Sequence, residues 1–452
     1  MSPDRVGGQS ERLLIRGGTV VTGGSTPEII EAGAVAVESG RITAVGRSDD
    51  VGATHPDASV LDATGRLVMP GFINAHTHLY SALARGITAP IEPSANFVEI
   101  LEHLWWKLDN ALDDEDVRVS AAAGALDLIR NGTTTIIDHH ASQAAIPDSL
   151  SIVAEALGSA GIRANLCFEV SDRWGPAQRD SGLEESERFA RAVSTRGPDL
   201  TASVGLHASM TLEDETLERA AGIADDFGIG CHVHVAEDRA DVEDSLRRCG
   251  KRVVERLDSF GILGRKTIAV HCVHVNEAEI ELLAATDTPV VHNPQSNMNN
   301  AVGCANIPGF LDRGLLVGLG TDGFSASMLD ELKVANLIHR HQAADPRVGH
   351  GVGTTLCFDG NAEIARRLTG ERLGVLEIGA PADVIVLDYP SPTPITGGNF
   401  AGHVIFGLTG WMVETVIVGG RMVLRDREFV GVDADEVLRT ARARALALWE
   451  KM

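Results

Sequence analysis

Aromatic residues make up only 4% of this 452-residue chain, and Tyr occurs twice. A core of this size must therefore rest on Val, Ile, Leu and Ala, which the hydrophobic content of 44% supplies. Positive charge is also short: 39 Lys and Arg stand against 63 Asp and Glu, a formal net charge of −24. Nucleic acid and anionic membrane surfaces are excluded as partners on that balance, because both repel an acidic surface. No uninterrupted apolar run is long enough to span a bilayer. Residues 1–10 are polar and Gly-containing, unlike a secretory signal. Cys167, Cys231, Cys249, Cys272, Cys304 and Cys357 form no C-x-x-C and no paired spacing. Reduced thiols in a cytoplasmic protein are expected from them, not a disulfide framework.

The length is large for one domain, although α/β barrels commonly run this far as a single unit. Short strand-like pieces with Gly turns occupy residues 12–46, and the stretches 34–37 and 41–45 flank Glu38-Ser39-Gly40 as a hairpin. The same texture returns only at 382–388 and in a second hairpin, 415–418 and 421–424, around Gly419-Gly420. A small β-sandwich domain built from both chain ends is the expectation. Residues 1–69 form its first part, and residues 376–452 form its second part with a closing helix from 437.

Between these ends, residues 70–375 alternate β-branched runs with Ala/Leu/Glu/Arg segments of helical period, the signature of βαβ units. Eight such runs end in ionisable or metal-binding residues: His76 and His78, His139 and His140, Glu169, His207, His234, His271, His292 and Asp322. The pattern predicts an α/β fold, a (β/α)8 TIM-type barrel, whose active site is built at the C-terminal ends of the strands.

The chain is organised around Pro70-Gly71-Phe72-Ile73-Asn74-Ala75-His76-Thr77-His78. Alternate residues of an extended chain point the same way, so His76 and His78 present two imidazoles to one point. Neutral imidazole is the commonest ligand of zinc-like metals. His232 and His234 stand two apart on the fifth run, and His234-Val235-Ala236-Glu237 singles out His234 by placing a carboxylate about one turn beyond it. Such a carboxylate can pass protons beside a metal. A helix N-terminal acid is the plainer role for Glu237. Asp322, after an apolar run, is costly to bury without a cation, although the following Gly323 also suits an ordinary turn. His55, His103, His339, His341, His350 and His403 fall in helix-like or loop contexts, where a solvated or structural role is the default. No strand end carries a Lys able to bridge two metals, which favours one ion.

The motifs at 70–78, His234-x-x-Glu237, Val270-His271-Cys272-Val273-His274 and Gly320-Thr321-Asp322-Gly323 resemble the amidohydrolase superfamily over nearly the whole chain. The similar branch holds guanine deaminases, adenosylhomocysteine deaminases and triazine hydrolases. Leu104-Trp105-Trp106-Lys107-Leu108-Asp109, Asp138-His139-His140-Ala141-Ser142 and His292-Asn293-Pro294-Gln295-Ser296-Asn297-Met298 look most like its SsnA group of aminohydrolases.

The resemblance implies one divalent metal, zinc or alternatively iron, held by His76, His78, His234 and Asp322. It implies a catalytic set of Glu237 as proton shuttle, His271 near the water or substrate, and Asp322 or His271 as the acceptor of the water proton. His207, His139 and Asn297 are the first assignments for substrate contacts. The chain departs from better-known deaminases after His207, where Ala208-Ser209-Met210 replaces a Ser-Pro-Tyr-type run. The expected partner is a small heterocyclic substrate, and homo-oligomers are common among chains of this kind. Deamination of a purine- or pyrimidine-like heterocycle leads. The alternatives are opening of a cyclic amide or loss of another leaving group, and a metal-holding scaffold without turnover. Phe97, Leu101, Leu104, Trp105 and Trp106, at near-helical spacing, are expected as a packed helix or as a lid over the barrel mouth.

Overall fold

A computed structural model describes residues 12–452, so the polar stretch 1–10 lies outside the described residues. Both chain ends contribute to one nine-stranded sheet. Arg12–Val21 pairs antiparallel with Ile29–Glu38, which pairs with Arg41–Arg47 through the hairpin read from the sequence. On its other edge Arg12–Val21 runs parallel to Leu67–Pro70. Leu67–Pro70 then pairs antiparallel with Val384–Leu387, Val68 opposite Val386. Val413–Val418 and Arg421–Arg425 extend the C-terminal arm. Leu13, Ile15 and Val35 of one arm share a core with Val384, Val386 and Ile417 of the other. The nine strands form one continuous hydrogen-bonded sheet.

The run from Leu67 toward His78 divides at Gly71. Leu67–Pro70 belongs to the small sheet and Phe72–Thr77 to the parallel layer. Pro70 has no N–H to continue a ladder. A Cβ at Gly71 would lie 2.2 Å from the Thr134 side chain, so only glycine passes this crossing.

The parallel layer follows the expected runs. Phe72–Thr77, Thr133–His140, Arg163–Phe168 and Leu200–Ala202 form a four-stranded sheet. Val204–Ala208, Cys231–Val235, Ile268–His271, Val290–His292 and Val317–Leu319 form a five-stranded one. The fourth run is interrupted at Ser203, so its halves pair with different neighbours. Single parallel bridges, Val170 with Leu206 and Thr77 with Asp322, join the two sheets at both seams. Every residue of Thr133–His140 is buried, as expected for strands covered on both faces.

Two contacts tie the layers together. Arg163 Nε, on a strand of the parallel layer, lies 2.9 Å from Asp383 Oδ2, and Asp383 Oδ1 accepts from the Gly419 amide at 2.7 Å. The closing helix, Ala434–Trp449, packs on Asp114–Arg130, with Arg444 reaching Asp113 at 2.6 Å and Asp116 at 2.7 Å. Trp449 Nε1 donates to the Leu83 carbonyl at 2.8 Å. No helix of the described residues is long and apolar enough to cross a membrane.

Candidate functional site

The C-terminal ends of the parallel strands bring His76, His78, His234, His271 and Asp322 together, with Glu237 one turn beyond His234. Each histidine is aimed by its other ring nitrogen, the usual arrangement around metals. His76 Nδ1 shares a 2.9 Å hydrogen bond with His232 Nε2. His78 Nδ1 donates to the His139 carbonyl at 2.6 Å, and His234 Nδ1 to the His207 carbonyl at 2.8 Å. Their Nε2 atoms therefore converge, those of His78 and His234 lying 3.3 Å apart. Asp322 Oδ1 is 3.2 Å from His78 Nε2 and 3.7 Å from His76 Nε2. His76, His78 and His234 each offer a ligand atom within 4.8 Å of the others, as do His76, His271 and Asp322. His76 Nε2 is buried without a hydrogen-bond partner. Three imidazoles and a carboxylate around an orphaned nitrogen are a donor set suited to zinc.

The electrostatics agree with that donor set. Burial pulls the His76 ring down to about 3 and that of His234 well below its ordinary value, keeping both in the neutral, ligating form. Burial works against charge on His78 too, but the Asp322 carboxylate outweighs it and holds that ring up at about 9. Positive charge is thus favoured at the point where the four groups meet. Burial, aided by the Asp322 charge, pushes Glu237 well above the ordinary carboxyl range. Glu237 Oε2 is 3.3 Å from His271 Nε2, and Glu237 Oε1 accepts from Asn300 Nδ2 at 3.3 Å. His271 has φ 70°, Cys272 50°, Ala236 46° and Asp322 56°, a left-handed backbone held by non-glycine residues at the strand ends.

A cavity of about 840 Å³ opens over this cluster. His78, His207, His234, Glu237, His271 and Asp322 line it, and Phe97, Leu101, Trp105 and Trp106 face them. The aromatic segment folds as Phe97–Ile100, a wide π turn at Leu101–Trp105 and Trp106–Asp109. Phe97 and Leu101 pack with Val302, and Leu104 lines a neighbouring cleft.

The substrate-contact assignments separate. His207 lines the cavity, with Nδ1 2.6 Å from Thr211 Oγ1. His139 does not reach the cavity wall: its Nε2 lies 3.1 Å from the His232 carbonyl and 3.2 Å from that of Leu206. Asn297 also stands behind the wall, its Nδ2 2.9 Å from His271 Nδ1, where it orients that ring.

Sequence reasoning missed the opposite wall. Arg173 Nη2 lies 2.8 Å from Asp109 Oδ2 and 3.0 Å from Glu169 Oε1, and its guanidinium carbon sits 4.9 Å over the Trp106 ring. Burial pushes Asp109 well up against the pull of Arg173. Burial also opposes charge on Glu169, but His207 and Arg173 outweigh it and hold Glu169 well down. One guanidinium thus serves two buried carboxyl groups whose surroundings push their proton affinities apart. Glu169 stands among the strand ends read from the sequence, and its spacing of four from Arg173 was the signal for the pair.

Residues 67–423 match the Amidohydrolase family, and residues 33–58 an imidazolonepropionase-like composite domain of bacteria. The chain belongs to the amidohydrolase family. It is 33% identical over 437 residues to a 5'-deoxyadenosine deaminase of Methanopyrus kandleri, covering 95% of this chain and 97% of that protein. It is 31% identical over 449 residues to a 5-methylthioadenosine/S-adenosylhomocysteine deaminase of Desulforudis audaxviator, covering 98% and 100%. Among solved structures, a zinc-bound adenosine deaminase from Xanthomonas campestris superposes with TM-score 0.85 at 24% identity, covering 97% of this chain and 99% of that one.

Proposed function

We propose that the two parallel sheets close into one (β/α)8 barrel whose rim carries out hydrolytic deamination of an amino-substituted purine in nucleoside form, releasing ammonia. The bridges at both seams and the likeness to the Xanthomonas structure support closure. The names of the curated relatives, deaminases of 5'-deoxyadenosine and of 5-methylthioadenosine or S-adenosylhomocysteine, support the substrate class. Cytoplasmic residence is part of the reading, in keeping with six free cysteines.

The observation that carries the chemistry is the placement of Glu237, 3.3 Å from His271 beside the imidazole and carboxylate cluster, where burial pushes its carboxyl well above the ordinary range. In this reading His76, His78, His234 and Asp322 hold a single divalent ion, zinc before iron. When bound, zinc supplies Lewis-acid activation of water, lowering its pKa toward about 7. Asp322 and His271, 3.6 Å apart at Oδ2 and Nε2, take up the proton that the attacking water gives up. Glu237 delivers its own proton to the ring nitrogen beside the reacting carbon, then passes the proton of the newly added hydroxyl to the departing amine, and the proton held at Asp322 or His271 returns to Glu237. Asp109 and Glu169 on the far wall suit the hydroxyl donors of a sugar. Phe97, Trp105 and Trp106 cover the base and exclude water. A non-catalytic scaffold would leave Glu237 and its Asn300 contact without a task.

Ammonia release by the zinc-loaded protein tests the reading, with adenosine, 5'-deoxyadenosine, methylthioadenosine, S-adenosylhomocysteine, guanine and an amino-s-triazine as the panel. Turnover of the adenine nucleosides is expected. Turnover of guanine or the triazine alone would overturn the substrate class.

A further inference from the structure

Behind the seventh strand lies a second group of metal-ligating side chains that the reaction does not use. His292 ends Val290–His292, Cys304 sits in the loop before Ile307–Asp312, and His339 lies on the helix Met328–Ala343. Each offers a ligand atom within 4.8 Å of the others. Cys304 Sγ is 3.7 Å from His339 Nδ1, and the two imidazoles face each other with centroids 5.3 Å apart. A zinc ion with Zn–S near 2.3 Å and Zn–N near 2.0 Å separates such ligands by roughly 3.5 Å at tetrahedral angles. None of the three lines the cavity over the candidate active site.

The second observation is a run of unsatisfied polar atoms. His292 is fully buried, yet neither ring nitrogen has a hydrogen-bond partner. His339 is 3% exposed, and its Nε2 is also unpartnered. Asn336, one turn earlier on the same helix, is fully buried with both side-chain polar atoms unpartnered. Buried polar groups are nearly always satisfied, so five such atoms on His292, His339 and Asn336 mark a missing partner. Burial holds both imidazoles in the neutral form that ligates metals.

We propose that His292, Cys304 and His339 bind a second zinc-type cation, whose work is to fasten the loop at Cys304 to the seventh strand and to the helix. Binding forms two N–metal bonds and one S–metal bond and releases the thiol proton to solvent. A water takes the fourth position. The stretch leading to that loop carries Asn297, which bonds His271, and Asn300, which bonds Glu237. A cation here therefore steadies the side chains that aim two members of the candidate active site. Soft thiolate with imidazole selects zinc over magnesium or calcium.

The test is cobalt titration of the metal-free protein. The candidate active site offers no thiolate, so a thiolate-to-cobalt charge-transfer band reports the second site alone. Wild type is expected to take two cobalt ions per chain and to develop the band. Cys304→Ser, an isosteric change, and His339→Gln are each expected to take one ion and to lack it. His234→Ala is expected to keep the band while losing an ion, which separates this site from the active-site reading. One ion per chain with no band in wild type, or a band that survives Cys304→Ser, would overturn the proposal.

Discussion

The Nε2 atoms of His78 and His234 lie 3.3 Å apart although 156 residues separate them in sequence. Neither imidazole reaches that position by its own preference. Each is turned by a hydrogen bond from Nδ1 to a backbone carbonyl, of His139 and of His207 respectively. Those carbonyls belong to neighbouring strands, so the register of the parallel layer sets the aim of the rings.

Ligand and shuttle are expected to part company under mutation. His234→Ala or Asp322→Ala lowers zinc occupancy and abolishes turnover, while the apolar core keeps the fold. Glu237→Gln retains zinc and loses turnover by about two to four orders of magnitude, the usual weight of general acid–base catalysis. Elemental analysis beside an ammonia-release assay distinguishes the two outcomes.

Phe97 sits on the cavity wall opposite the histidines, 8% exposed and packed with Leu101 and Val302. Phe97→Ala is expected to lower kcat/KM by about ten- to a hundred-fold, equivalent to about 1.5–3 kcal/mol of apolar contact. Unchanged kcat and KM in a folded variant would show that the segment is only packing.

Arg173→Gln strips the single cation from a buried pair of carboxylates, at an expected cost of about 3–5 kcal/mol. The cost should depend on pH in one direction. Glu169 is held below its ordinary 4.5 in the folded protein, so its stabilisation is present above that value and is lost as pH falls. Thermal unfolding should therefore show the gap between wild type and variant widest near neutrality and narrowing below about pH 4.

Asp383→Ala leaves the Arg163 guanidinium buried beside the small sheet without the partner 2.9 Å away. Asp199 still pairs with that guanidinium, so a loss of about 1–3 kcal/mol is expected, with zinc stoichiometry unchanged because no candidate ligand is touched. Denaturant unfolding and metal analysis on one preparation check both halves.

Much of this architecture is legible in the sequence because β-branched runs and their terminal residues share one pattern. His76 and His78 show the period of two, and His234 with Glu237 shows a strand end followed by one turn. What period cannot give is register. His232 and His234 face alike in the sequence, yet His232 goes behind His76 to orient it. His139 has the composition of a site residue but spends its Nε2 on carbonyls of neighbouring strands. Asp109 ends a short helix, Glu169 follows a strand and Arg173 sits in a turn, and no local pattern encodes their meeting. His339 reads as an ordinary helix residue until tertiary packing sets it against His292. The division at Gly71 depends on how close Thr134 comes, a distance that exists only in the folded chain.

The strand that carries His76 and ends just before His78 is separated from Leu67–Pro70 by Gly71 alone, and that segment's outer neighbour is Val384–Leu387. A ribosome thus makes the first two imidazoles early and their scaffold late, with Asp322 also far downstream. A nascent chain can show histidines to a passing cation but has no frame in which to keep it. On the proposed ligand set, a chain that stops before Asp322 is expected to hold no ion.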